Sequence, residues 1–70
     1  MSREINLDQQ IRRLKKIALE SDDPILRTAA IEALSKLGKN AISALIDIAE
    51  NSEYKNERIK ALEKIPESPK

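Results

Sequence analysis

Apolar residues recur at helical spacing in four stretches of this chain, each bounded by polar or helix-stopping residues. In the first, Leu7, Ile11, Leu14 and Ala18 form one stripe, with Arg12, Lys16 and Glu20 opposite. Asn6 with Gln9 three residues on has the form of a capping box, so a helix is predicted over about 6–21. Asp23 as N-cap and Pro24 at the first helical position open a second helix, 23–37, with Leu26, Ala30, Ala33, Leu34 and Leu37 inward. Gly38 stops it by entering the left-handed conformation. Asn40 is expected to cap a third helix, 40–51, with core residues Ile42, Leu45, Ile46 and Ala49. Ala41, Ala44 and Ile48 widen that face into a strip that covers itself against Ile17 and Gln10 or serves as a partner groove. A helix apolar over so much of its circumference is predicted to be central. The fourth, 54–65, turns Tyr54, Ala61, Leu62 and Ile65 inward, and Pro66 and Pro69 leave 66–70 as a loose tail.

Short connections at Gly38-Lys39-Asn40 and around Ser52 force neighbouring helices to run antiparallel. The pattern also repeats. A shift of 31 residues superposes Ile11, Leu14, Ile17, Ala18 and Ser21 on Ile42, Leu45, Ile48, Ala49 and Ser52, and Arg27, Ala30 and Glu32 on Arg58, Ala61 and Glu63. A shift of 28 competes in the last helix, where Ala33-Leu34 meets Ala61-Leu62 and Leu26 meets Tyr54.

Composition sharpens this reading. Hydrophobic residues are 40% and charged residues 36%, which excludes a disordered chain of low hydrophobicity. Leu, Ala, Glu, Lys and Arg favour helix, while Val and Phe are absent, so the fold class is all-α. Cys and His are both absent, which removes thiol nucleophiles, disulfides, Cys/His metal sites and histidine acid–base chemistry. Gly38 is the only glycine, so a glycine-rich phosphate loop is excluded. Asp22 and Asp23 are adjacent, but helix capping accounts for them better than a metal does. No enzyme, cofactor or metal function is expected. No apolar run spans a membrane and no signal-peptide core precedes Asp8, so a cytoplasmic location is expected.

The stretch Asp23-Pro24-Ile25-Leu26-Arg27, then Ala30, Ala33-Leu34, Leu37-Gly38 and Ala41-Ile42-Ser43-Ala44-Leu45-Ile46, resembles a HEAT repeat of the short type found in phycobilisome lyases. The likeness covers one full unit, Asp23 to Glu50, with partial units on either side; the last helix lacks the Asp-Pro pair. It implies an α-α superhelix built of two stacked antiparallel helical hairpins in a single domain, 1–70. It also implies that Asp23, Pro24, Arg27 and Gly38 are structural, with Asp23 and Arg27 tying adjacent helices together. Lyase chemistry does not carry over, for want of length and an enclosed pocket, nor does the metal-dependent hydroxylase site of some HEAT-like proteins, for want of histidine.

The expected function is a non-enzymatic interaction or scaffold module that binds a protein or peptide. The alternative is a small nucleic-acid-associated protein that uses the basic run Arg12, Arg13, Lys15 and Lys16. The net charge of +1 does not favour it. Two helical pairs make a small core, so a homodimer through a terminal helix is also expected.

Overall fold

A computed structural model describes residues 6–66. Its helices are α1 (Leu7–Glu20), α2 (Pro24–Ser35), α3 (Ile42–Asn51) and α4 (Lys55–Lys64), with a 3₁₀ turn, Gly38–Ala41, before α3. No strand occurs among the described residues. The tail expected after Pro66 lies outside them.

Local chemistry sets most boundaries. The Asn6 side chain accepts the Asp8 amide at 2.9 Å, and Asp8 places a negative charge in the first turn, where the helix dipole favours it. The Asp23 carboxylate accepts the Ile25 amide at 2.9 Å, with Pro24 where no amide is needed. The next junction differs from expectation. α2 ends at Ser35, and Lys36 and Leu37 continue as a turn to Gly38, which holds φ at +68°. The chain then closes the 3₁₀ turn. Asn40 therefore does not cap α3; its side-chain amide donates to the Leu37 carbonyl at 3.4 Å, on the side of the helix that has just ended.

Each short turn folds a helix back on the one before. α1 packs on α2 and α3 on α4, giving two antiparallel hairpins that stack side by side. α1 touches α3 in one layer, and α2 touches α4 in the other. The core lies along the seam. Ile31, Leu34, Leu45 and Ile48 are its fully buried large side chains. Ala18, Ala30, Ala41, Ala44 and Ala61 around them let the helices approach closely.

Three residues expected inside are not. Leu26 is 51% exposed, Leu62 60% and Ile46 40%. Ala41, Ala44 and Ile48 are buried, yet Ile17 and Gln10, expected to cover them, face solvent. These departures share one cause: the helices have an inner and an outer side along the stacking direction, which amphipathic periodicity does not distinguish. The shape agrees. The radius of gyration is 12.2 Å, against about 11 Å for a rounded domain of this length.

Candidate functional site

The seam between the hairpins is the best-defined arrangement in the molecule, and it defines the surfaces at either end. It is bridged by charge at three places. Arg27 Nε donates to Glu57 Oε2 at 2.6 Å, with both residues buried. In the α1–α3 layer Lys15 pairs with Asp47 at 2.9 Å. On the outer side of the α2–α4 layer Glu32 receives Lys60 at 2.8 Å and Lys64 at 3.5 Å. A hydrogen bond from Lys60, and then the nearby charges of Lys60 and Lys64, hold the Glu32 carboxyl below its ordinary pKa.

Arg27 is held on further sides. Its Nη1 donates to the Ser21 carbonyl at 2.8 Å, and its guanidinium lies 3.5 Å from the centre of the Tyr54 ring. A buried guanidinium is tolerable only with such partners, and no buried side-chain nitrogen or oxygen among the described residues lacks one. Of the pair expected to tie helices together, Arg27 reaches across the seam, while Asp23 stays local as the α2 cap.

The same construction recurs 31 residues on. Ser52 leaves α3 in the extended conformation (φ −63°, ψ 140°) that Ser21 adopts after α1 (φ −64°, ψ 142°). Ser21 Oγ accepts the Asp23 amide and Ser52 Oγ the Tyr54 amide, both at 3.1 Å. Arg58 Nη1 donates to the Ser52 carbonyl at 2.7 Å. The repeat is therefore 31 residues throughout, and the competing shift of 28 is set aside: it pairs Tyr54, an N-cap, with Leu26, a residue inside a helix.

This register explains the misplaced apolar residues. Leu62 corresponds to Ile31, which is fully buried. Ile17 corresponds to Ile48, which is fully buried as well. Leu26 corresponds to Glu57 and Ile46 to Lys15, both of which bridge the seam. Ile46, Arg58 and Leu62 thus form one end face, and Gln10, Arg13, Ile17 and Leu26 the other.

Three members of the basic run, Arg12, Arg13 and Lys16, are exposed; Lys15 is half-buried in its pair with Asp47. A groove of about 260 Å³ runs between α1 and the start of α3, lined by Asp8, Arg12, Lys15, Asn40, Ser43 and Asp47. It mixes both signs of charge. Among the described residues no cluster of carboxylates is placed to hold a metal ion.

The family model for HEAT repeats matches residues 3–65, nearly the whole chain. The chain belongs to the HEAT repeat family. Comparison with curated proteins and with solved structures gives no match. In a HEAT array, stacked hairpins cover one another's faces. The two faces are the ones that the stacking of these two hairpins leaves uncovered among the described residues, and sequence periodicity assigned Leu26, Ile46 and Leu62 to the core because it cannot tell a seam from such a face.

Proposed function

We propose that this chain is a non-enzymatic interaction module, of scaffold type, that binds a protein or peptide through its exposed end faces. The observation that carries the reading is the exposure of Leu62 and Ile17 at positions whose repeat equivalents, Ile31 and Ile48, are fully buried. Their side chains suit contact with another folded surface. HEAT repeats generally mediate protein interactions, which supports the same conclusion. No helix among the described residues is long and apolar enough to cross a membrane.

The nucleic-acid alternative is weaker on electrostatic grounds. Lys15 is neutralised by Asp47, and Asp8 and Asp47 line the same groove as Arg12, which lowers the field that a phosphate backbone would meet.

The test is recovery of a binding polypeptide on the immobilised full chain, followed by titration of that purified polypeptide against wild type and against Leu62→Asp and Ile17→Asp variants. Saturable binding that one of these variants weakens, with shallow salt dependence, is expected. Binding of generic RNA or duplex DNA with a steep salt slope, abolished by Arg12→Glu with Lys16→Glu, together with no polypeptide sensitive to either end face, overturns the reading.

A further inference from the structure

The seam between the two hairpins serves as a template for what the Arg58 face accepts. In the seam, α4 presents Tyr54 and Glu57 to Arg27, and Lys60 and Lys64 to Glu32. One repeat later the receiving residues are all present. Arg58 is anchored to Ser52 as Arg27 is to Ser21, Leu62 stands for Ile31, and Glu63 stands for Glu32. Among the described residues no carboxylate pairs with Arg58.

A second copy of this chain does not supply the missing half. If the seam's geometry were continued with another copy, Leu26 would stand where Glu57 stands and Lys16 where Asp47 stands. Ala29 and Ala33 would replace Lys60 and Lys64, so all three bridges across the seam would be lost. Asp23 would take the place of Tyr54, with its carboxylate already engaged by the α2 cap. Gln10 and Arg13 would have to fit where Ala41 and Ala44 are buried. Bulk and charge both oppose head-to-tail stacking, and with it an open filament.

We propose, as an extension of the interaction-module reading, that the face formed by Arg58, Leu62 and Ile46 docks an amphipathic helix of a different polypeptide. That helix carries a carboxylate for Arg58, an aromatic residue three positions before it, and lysines three and seven positions after it for Glu63. The aromatic ring and carboxylate close over the guanidinium, and apolar residues of the same helix cover Leu62 and Ile46. The charge pattern sets the partner's identity and register more than the apolar contact does.

The test uses the full chain, isotope-labelled, and a peptide with the sequence of Glu53 to Pro66, made helical by a lactam bridge on its solvent side. This peptide carries the required pattern, since α4 itself fits the equivalent face of α2. Saturable NMR shifts at the Ile46 and Leu62 methyl groups and the Arg58 side chain are expected. Arg58→Glu in the chain should weaken binding about tenfold or more, and a peptide with Glu57→Arg should restore it to that variant. Leu62→Glu, a change at an exposed position, should weaken binding without altering the circular dichroism of the chain. No saturable shift at these residues, or equal binding by Arg58→Glu that remains folded, overturns the proposal. So does a dimer in sedimentation that Leu62→Glu dissolves, because a second copy would then cover the face. Shifts confined to Ile17 and Leu26 overturn it too, while leaving the interaction-module reading intact.

Discussion

Arg27 and Arg58 make the same bond at two points of the chain: each donates Nη1 to the carbonyl of the serine that closes the preceding helix, at 2.8 and 2.7 Å. The two differ in what lies beyond. Arg27 is sealed by Tyr54 and Glu57 of the following hairpin, whereas Arg58 is half-buried and no carboxylate among the described residues pairs with it. One construction is thus seen both occupied and open, which makes the first a physical guide to the second.

The Arg27–Glu57 pair is expected to dominate cohesion between the hairpins. Removing one partner leaves a buried charge without compensation, at a cost of about 3–5 kcal/mol. A chain of this size has roughly 3.5–10 kcal/mol in total. Glu57→Ala should therefore unfold much of the population or shift the urea midpoint steeply downward, as followed by circular dichroism. Replacing both partners, as Arg27→Met with Glu57→Leu, should recover most of the loss, because the desolvation penalty disappears with the charges.

Ile31 and Leu62 are equivalent in the repeat but not in energy. Ile31→Ala should cost about 2–5 kcal/mol, the range for a large side chain deleted from a packed core. Leu62→Ala should stay within about 0.5–1 kcal/mol, because most of that side chain is already in water. Equal losses in chemical denaturation would show that something covers the end face in solution.

Gly38 has a conformational role, not a steric one. At φ +68° an added Cβ would meet nothing within 4 Å. The cost of Gly38→Ala is therefore backbone strain alone, about 1–2 kcal/mol. Gly38→Asn should cost less and Gly38→Val more, as read from melting temperatures, because asparagine tolerates this region and β-branched residues do not.

Acid should loosen the outer side of the α2–α4 layer. Lys60 and Lys64 hold Glu32 below its ordinary pKa, so the folded state favours the charged carboxylate. This contribution is complete above the ordinary carboxylate pKa. It fades as pH falls through the lowered value, where both folded and unfolded chains become protonated. The Glu32 side chain is partly open to solvent, so the effect is small and should shrink further with added salt. In Glu32→Gln the difference in urea midpoint from wild type should be present at neutral pH and vanish in acid, once the lowered value has been passed.

Much of this molecule could be read from local chemistry. Asp23-Pro24 marks the start of α2 and Gly38 a stop near its end, because capping and backbone handedness depend on a few adjacent residues. The four helices, their antiparallel order and the HEAT likeness follow from periodicity and short connections. The side of each helix that meets its stacked neighbour could not be read in this way. Leu26, Ile46 and Leu62 have the same apolar character and spacing as Leu34 and Leu45, and only the stacking of one hairpin on the next separates end from seam. The partner of Arg27 was equally hidden, since Glu57 stands 30 residues away among other carboxylates. Helix propensity and capping act over a few residues and so are written in order along the chain; burial depends on which surfaces meet in space, and the linear order of residues leaves that contact unstated.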